Sequence, residues 1–287
     1  MVADLGTTAG CRALIDAEPD ADILVNNLGI YGVKAFFDIT DADWEAFFQA
    51  SGSVTVALEA GSVERTALFG AIVTRQSTRG LYDGRPLSSA DLHALEAVGS
   101  GAGVRVVLLT ERASVERVLE LVVDGNRAQL GDPAFVRELK HWVRFNARQA
   151  RVTGDGLFAA CAGNPSLPAW LGRALFERLV SVARENAKVV RQMRSAAGLA
   201  VFVSEVDTPS HWIEAGRAFE RFALQATVLG VRTAHLNQPL EVPALRAELA
   251  AALGLERGRP DLLVGFGRGP LMPRSFRRAV RQVIVPA

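Results

Sequence analysis

A short basic stretch, RQSTR at residues 75–79, is the first place where residue types and spacing could bind a ligand. It places the guanidinium groups of Arg75 and Arg79 on either side of the hydroxyl of Ser77. Guanidinium forks and a hydroxyl can donate charge-assisted hydrogen bonds to a dianion. Taken alone, such a stretch is most often a solvated basic turn. Its position before a helix start, RPLSSADL, favours an anion-binding turn instead.

Other kinds of site chemistry find little support. The histidines are scattered and lack the paired spacing of zinc ligands; they are His93, His141, His211 and His235. The sequence has neither the G-x-S-x-G turn of a serine nucleophile nor a G-x-x-x-x-G-K-[ST] loop. The two cysteines, Cys11 and Cys161, are far apart, which favours reduced thiols. We therefore predict no metal site.

Composition and charge indicate an ordinary globular protein with one large or two modest domains. Of 287 residues, 49% are hydrophobic and 22% are charged, and the formal net charge is +1. This balance gives no electrostatic reason to expect nucleic acid or a membrane surface as a partner. The N-terminus carries Asp4 where a signal peptide has basic residues, and no apolar run approaches roughly 18 residues. The sequence predicts a cytoplasmic protein.

The elements around the basic stretch can be predicted from caps. A helix is expected ahead of it, in RTALFGAIV. After it, Ser88 or Ser89 is expected to be the N-cap of a helix that begins at Ala90 or Asp91. The basic stretch should therefore connect two helices.

The middle of the chain predicts one buried strand, VRVVLL at 104–109, and several helices. Helices are expected over SVERVLELVVDGNRAQL and from Asp132-Pro133, an N-cap followed by a first-turn proline. Residues 168–193 predict one long helix. Its apolar stripe comprises Leu171, Leu175, Leu179 and Val182. The connection at 155–168 is either a lid over a cleft or a plain surface loop.

The last third of the chain alternates between strands and helices. Strands are expected at LAVFVS (199–204), VRTAHL (231–236) and DLLVGFG (261–267). Between them lie two helices, which end at Gly230 and Gly254. This alternation predicts a layered α/β or α+β sheet.

Residues 2–49 resemble the middle of a short-chain dehydrogenase/reductase. VADL looks like the end of that family's third strand, with Asp4 and Leu5 beside the adenine. GCRALIDAEPDA resembles the next helix, ILVNNLG the fourth strand and FFDITDADWEAFFQ the helix after it. The cap and apolar face of that last helix are Thr40 or Asp41 and Trp44, Phe47 and Phe48. The resemblance implies a short βαβα fragment over 1–49.

This fragment lacks the residues that dehydrogenase chemistry needs. The family's glycine-rich turn precedes its first helix, whereas GTTAG at 6–10 follows the third strand and is more simply a helix-start loop. The family also needs a lysine four residues after a tyrosine, and neither tyrosine of this chain has one. We interpret Asn26 and Asn27 as structural remnants, and expect this segment to bind no nicotinamide cofactor.

After a small-residue junction at 50–62, residues 63–287 resemble the FMN-dependent nitroreductase superfamily. More narrowly, they resemble the C-terminal half of Acg-type proteins, in which two nitroreductase-like halves share one chain. TRQSTRGLYDGRPLS matches the superfamily's opening element, which grips the FMN phosphate. The resemblance assigns Arg75, Ser77 and Arg79 to that phosphate. It implies an α+β fold with a nitroreductase-like mixed sheet flanked by helices.

Two further segments carry the same resemblance. ALQATVLGVRTAHLNQPLEVP is similar to the family's central helix, a strand and the loop that approaches the flavin ring. This implies that the backbone of Leu236, Asn237 and Gln238 lies near the ring, although Pro239 alone would explain an ordinary turn. GRGPLMPRSFRRAVRQVIV resembles the closing segment, where basic residues reach the phosphate. The matching residues there are Arg274 and, next, Arg277.

One element of the family pattern is missing. Nitroreductases carry an Ala-Pro-Ser-x-x-Asn-x-Gln-Pro-Trp-like segment after the first helix, and its Asn binds the flavin ring. Here Glu96 runs through AVGSGAG directly to the strand at Val104. In Acg-type proteins that segment belongs to the N-terminal half, whose place a dehydrogenase-like fragment takes here. We therefore expect the ring-binding wall to be missing from the chain.

The resemblance implies an FMN-dependent oxidoreductase that uses NAD(P)H to reduce a nitroaromatic or quinone-like small molecule, or an impaired form of one. The flavin supplies the redox chemistry, so the predicted site residues bind and none is assigned as catalytic. Two alternatives stay open. One is a flavin-holding protein without turnover, and the other is an inactive fusion that binds nothing.

The resemblance also implies a homodimer. The superfamily builds its flavin pocket between two nitroreductase-like units, and one unit is present here. The uncovered face is expected to include the helix of Trp212, Phe219, Phe222 and Ala226. A large apolar face is unstable in water, and a C2 contact between two copies would cover it. The alternative is that the N-terminal segment folds over this face.

Overall fold

The structure is a computed structural model, and it describes residues 2–4, 55–57 and 66–276. The helices predicted for the dehydrogenase-like fragment, its Asn26 and Asn27, and Arg277 lie outside the described residues. Eight strands occur in the described part of the chain. They are β1 (Val2–Asp4), β2 (Thr55–Ala57), β3 (Val104–Leu109), β4 (Val143–Arg144), β5 (Leu157–Phe158), β6 (Gly198–Ser204), β7 (Arg232–His235) and β8 (Arg259–Gly267).

The same residues form ten α-helices and one 3₁₀ turn, Ala159–Ala162. The helices are α1 (Ala67–Ala71), α2 (Ser89–Gly99), α3 (Arg112–Gly131), α4 (Pro133–Trp142), α5 (Ala147–Thr153), α6 (Ala169–Leu179), α7 (Val182–Ser195), α8 (Pro209–Val228), α9 (Gln238–Glu241) and α10 (Pro243–Ala252). Several predicted caps are confirmed. The Ser88 side chain accepts from the Asp91 amide, and Asp132 accepts from Ala134 ahead of Pro133. Gly230 and Gly254 follow their helices with φ of 69° and 64°, which glycine adopts without strain.

The central sheet has four strands in the order β3-β6-β8-β7, and all of its strand pairs are antiparallel. Every residue of β6 is buried, as its run of apolar residues predicts. One parallel bridge, between Ser77 and Thr233 of β7, places a short segment of chain next to the edge of the sheet formed by β7. The predicted α+β class is confirmed, and the parallel component of the mixed sheet in the described chain is this bridge.

Two helical layers cover the sheet. On one face α2 and α8 pack against it, with Leu95 and Phe222 fully buried in the shared core. On the other face α3, α7, α9 and α10 contribute to a second core, in which Val122 and Met193 are fully buried. The sheet is therefore the middle of three layers.

The predicted exposure of the α8 face is wrong. Phe219, Phe222 and Ala226 belong to the core between α8 and the sheet. Phe222 packs edge-to-face against Phe202 of β6, with ring centroids 5.5 Å apart. Trp212, near the start of the helix, donates its indole N–H to Asp207. Because the sheet of the same chain covers this stripe, it is not a vacant partner face.

The predicted long helix at 168–193 is two helices, α6 and α7, separated at Val180 and Ser181. Ser181 has extended backbone angles (φ −124°, ψ 151°), and its hydroxyl accepts from the Arg184 amide. This is an N-cap, which the continuous apolar pattern concealed. The break lets α6 bury Phe176 against Phe145 while α7 turns Val189 and Met193 toward the sheet.

Candidate functional site

The basic stretch lies along the outer edge of β7. The Arg75 amide closes the end of α1 by donating to the Ala71 carbonyl at 2.8 Å. Ser77 then forms the parallel bridge with Thr233, and the Thr78 amide donates to the Thr233 carbonyl at 2.8 Å. The stretch is therefore held by backbone hydrogen bonds to the sheet. Two residues further along each segment, the charge of Arg79 acts on His235.

The C-terminal segment lies against the basic stretch, about 200 residues away in sequence. Gln76 donates from Nε2 to the Met272 carbonyl at 2.6 Å and accepts the Met272 amide at 3.1 Å. Arg274 donates from Nη1 to the Val73 carbonyl at 2.8 Å. Met272 also packs on Gly80, where an added Cβ would lie 3.2 Å from its sulfur. The segment that carries Arg274 and the basic stretch are thus in contact, although no hydrogen bond joins Arg274 directly to Arg75, Ser77 or Arg79 in the described chain.

The two arginines of the stretch have different surroundings. Arg75 forms an ion pair with Glu220 of α8 at 3.1 Å, and the two side chains are only 28% and 17% exposed. Arg79 is exposed and makes no hydrogen bond or ion pair to another described residue. Ser77 is also exposed. Arg79 and Ser77 are therefore available to a ligand, while Arg75 is available only if Glu220 releases it.

Arg75, Ser77, Arg79 and Arg274 form, together with His235, one cluster at this edge of the sheet. His235 was not predicted as a site residue from the sequence. Its ring packs against Phe219, with centroids 4.6 Å apart. Burial, then the charges of Arg79 and Arg75, lower the pKa of His235 to about 4. Its Nδ1 is buried without a hydrogen-bond partner among the described residues. A lone histidine carries no spacing signal; only the parallel register reveals that it faces the arginines.

Lys188 of α7 marks another side of the same region. It donates to the Ala162 carbonyl at the end of the 3₁₀ turn and lies 3.9 Å from Glu185. Burial is the main cause that lowers the pKa of Lys188. The neighbouring Glu185 carboxylate raises this pKa, and the Arg79 charge lowers it. Arg79 thus lies close enough to influence both Lys188 and His235.

The connection predicted as a lid or a surface loop packs beside the C-terminal segment. Phe158 of β5 contacts Phe276, with ring centroids 5.4 Å apart. The Arg151 guanidinium lies 4.6 Å from the centre of the Phe276 ring. Gly163, which ends the 3₁₀ turn with φ 73°, faces the Met272 methyl group. The connection therefore flanks the C-terminal segment.

The loop at 236–238 turns its side chains into the fold. Leu236 is buried in the core, and its amide donates to the Leu263 carbonyl at 2.8 Å. The Asn237 side chain accepts the Leu263 amide at 3.0 Å, which continues the pairing of β7 with β8. Gln238 packs closely on Gly125 of α3, and its Oε1 is buried without a described partner. Ligand contacts from this loop would have to come from the backbone.

The connection from α2 to β3 is very short. Only Ser100 to Gly103 separate the two elements, and Gly101 and Val104 form an isolated bridge across them. Arg221 of α8 fixes the turn through the Val98 and Ser100 carbonyls. No additional wall for a planar ligand can arise from this connection.

The other end of the sheet carries a separate cavity of about 670 Å³. It is lined by Arg105, Ser204, Glu205, Arg257 and other residues of the β6 and β8 ends. Within the described chain, no three His, Cys, Asp or Glu side chains are grouped so as to hold a metal ion. No helix among the described residues is long and apolar enough to cross a membrane.

Comparison with known proteins gives sequence similarity to nitroreductase relatives. The chain matches no established family profile. Over 222 residues it is 25% identical to a candidate NAD(P)H nitroreductase of Mycobacterium tuberculosis (strain H37Rv), covering 76% of this chain and 61% of that protein. The chain thus spans about 61% of the length of this relative. Over 48 residues it is 52% identical to the uncharacterized oxidoreductase YvaG of Bacillus subtilis, covering 17% of this chain and 18% of that one.

Solved structures give a weaker likeness. A nitroreductase with bound FMN from Desulfitobacterium hafniense is 13% identical, with a TM-score of 0.48, covering 76% of this chain and 97% of that chain. The FMN-dependent nitroreductase NfnB from Mycobacterium smegmatis, in complex with NADPH, is 12% identical, with a TM-score of 0.47, covering 75% and 96%.

Proposed function

We propose that the protein binds FMN and is a flavin-dependent oxidoreductase of the nitroreductase type. The observation that carries the proposal is the meeting of the basic stretch, the end of β7 and the C-terminal segment at one edge of the sheet. These are the three segments that the sequence resemblance assigns to a single cofactor. The similarity to the mycobacterial relative over 76% of this chain supports the same proposal.

The residues present fit the phosphate end of FMN. Arg79 and Ser77 are exposed and can donate to a dianion. Arg274 donates one hydrogen bond to another described residue, Val73, so its other N–H groups can donate to the same dianion. Arg75 would join them by exchanging Glu220 for the phosphate. Burial is the main cause of the lowered pKa of His235, and the charges of Arg79 and Arg75 lower it further, which supports a positive potential at this edge of the sheet. Arg277, outside the described residues, is proposed as a further contact.

The ring end is proposed to lie against the backbone of residues 236–238. Their side chains contact the core, β8 and α3, so ligand contacts from this stretch would come from the backbone. Bound FMN would supply hydride transfer, while the chain would anchor the phosphate, orient the ring and shield it from water. No side chain in this arrangement needs to act as a general acid or base.

The remaining parts of the proposal concern partners. We assign NAD(P)H as the electron donor and a nitroaromatic or quinone-like small molecule as the acceptor. We place the protein in the cytoplasm as a homodimer, because the four-residue α2–β3 connection leaves the ring without a second wall and another copy could provide it. We propose that residues 1–49 bind no nicotinamide.

A second function is favoured by that same short connection. If no copy supplies a wall, the chain would hold FMN by its phosphate and leave the ring open to water. The protein would then bind flavin without turnover. The absence of the wall segment between Gly99 and Val104 is the specific observation behind this alternative.

The test has two stages. The purified protein should show the visible absorption bands of FMN, or acquire them on titration, and it should bind riboflavin more weakly because riboflavin lacks the phosphate. NADPH oxidation is then measured with a nitroaromatic or a quinone as acceptor. Binding with turnover supports the enzyme, and binding without turnover supports the flavin-holding alternative. No FMN binding at all contradicts both.

A further inference from the structure

His235 lies within reach of the cluster's charges, and it carries a buried polar atom without a hydrogen-bond partner among the described residues. Like Arg79, it follows the parallel bridge by two residues, and Phe219 packs on its ring. Its Nδ1 is buried and has no partner in the described chain. A buried polar atom left without a hydrogen bond costs stability. An unpartnered Nδ1 near two arginines is therefore a candidate to bind a ligand.

The charged groups around His235 come from four elements. The basic stretch contributes Arg75 and Arg79, and α8 contributes Glu220, which pairs with Arg75. Lys188 and Glu185 of α7 lie beyond Arg79 and face each other at 3.9 Å. The Glu241 carboxylate of α9 also feels the Arg79 charge. Of these cations, Arg79 has no ion-pair partner within 4.0 Å among the described residues.

We propose that His235 is a further ligand-binding residue of the anion site, and that it takes up a proton when a dianionic group binds beside Arg79 and Arg75. The proposal rests on the proposed function, since it places the anion where the FMN phosphate is assigned. It goes beyond the proposed function by adding to the arginines a cation that exists only in the bound state.

The direction of the linkage follows from the charges. In the free protein burial and two guanidinium groups hold the pKa of His235 at about 4, so the ring is neutral at neutral pH. A dianion between the arginines cancels their repulsion and attracts a proton, so the bound-state pKa is raised. Affinity must then rise as pH falls through the bound-state pKa, and level off below the free-state value. For a dianion we expect about tenfold tighter binding at pH 5.5 than at pH 8.

Inorganic sulfate is the suitable probe, because it stays a dianion across this range whereas a phosphomonoester titrates near pH 6. The full-length protein with ¹³C-labelled histidine is titrated by NMR from pH 3.5 to 8, with and without sulfate. Only four histidine signals are present, and His235→Gln assigns the one of interest. Sulfate should move the His235 midpoint upward and leave that of exposed His93 unchanged.

Sulfate affinity is then measured at both pH values for the wild type, His235→Gln and the matched control His93→Gln. The proposal requires the pH dependence to vanish in His235→Gln and to persist in His93→Gln. An unmoved His235 midpoint at 100 mM sulfate, or an unchanged pH dependence in His235→Gln, overturns it. The His235 signal can also be assigned by elimination with His93→Gln, His141→Gln and His211→Gln, so a folding defect in His235→Gln alone does not obscure the midpoint read on the wild type.

Repeating the NMR titration with FMN separates this inference from the proposed function. If FMN binds and the His235 midpoint stays near its free value, only the proton linkage is wrong. If sulfate moves the midpoint but FMN does not bind, the anion site is real and the FMN assignment fails.

Discussion

Arg79→Ala is the most direct test of the anion site, because Arg79 is exposed and makes neither an ion pair nor a hydrogen bond to another described residue, whereas Arg75 pairs with Glu220 and Arg274 donates to Val73. Hydrogen bonds to charged groups contribute about 1.5–3 kcal/mol, which corresponds to roughly 10- to 150-fold in a dissociation constant. Arg79 has no hydrogen-bond or ion-pair partner among the described residues, so the substitution should leave stability nearly unchanged. The full loss should appear in FMN binding.

The assay is titration of FMN and of riboflavin, followed by flavin fluorescence and calorimetry. Arg79→Ala should weaken FMN binding by the stated factor and leave riboflavin binding unchanged, since riboflavin has no phosphate. Arg257→Ala is the matched control, an exposed arginine at the opposite end of the sheet, beside the separate cavity. Unchanged FMN affinity, or equal losses for FMN and riboflavin, would refute the assignment of Arg79 to the phosphate.

Three further predictions address the ion pair, the core and the oligomer. Glu220→Gln should release Arg75 from its ion pair and strengthen FMN binding by about two- to tenfold. The exposed control Glu248→Gln should leave FMN binding unchanged. Weaker FMN binding by Glu220→Gln would contradict this prediction and mean that the ion pair positions Arg75 for the ligand. Phe222→Ala should lower the unfolding free energy by about 3–5 kcal/mol in urea titrations, against a loss of no more than about 0.5 kcal/mol for the 59% exposed Phe69→Ala. Comparable losses for the two would contradict the burial of the α8 face. Sedimentation at micromolar concentration should give a species near twice the 30.7 kDa chain mass, and a single species at 30.7 kDa would disprove the homodimer.

The parts of the fold that were predicted well are those with local signals. A serine three residues before an amide and an Asp-Pro pair specify helix starts within a few residues of chain, and the structure has them at Ser88 and Asp132. Continuous aliphatic runs identify β3, β6 and β8 for the same reason. The split at Ser181 was missed because helix periodicity continued through it, and the local cap was outweighed by the longer pattern.

The α8 face shows why burial is harder to predict than secondary structure. The stripe of Phe219, Phe222 and Ala226 is correct as an apolar face, but a sequence does not say which surface covers it. The resemblance suggested a second copy, whereas β6 and β8 of the same chain cover the stripe. The amphipathic pattern of a helix predicts that one face is buried, whereas the topology of the fold determines which surface covers that face.

The residues of the candidate site also differ in whether they could be predicted from local sequence. RQSTR and Arg274 could be named from sequence because a motif and its chemistry were visible together. Glu220 and His235 could not, because each becomes relevant only through pairings with a strand or helix that is more than 140 residues from Arg75. Glu220 pairs with one of the two arginines, and His235 is the residue that we propose takes up a proton when an anion binds. A motif alone would predict two equivalent phosphate-binding arginines. Within the described part of the chain, Arg79 has no ion-pair partner, whereas Arg75 pairs with Glu220. The two alanine variants should therefore differ, with the larger loss of phosphate affinity for Arg79→Ala.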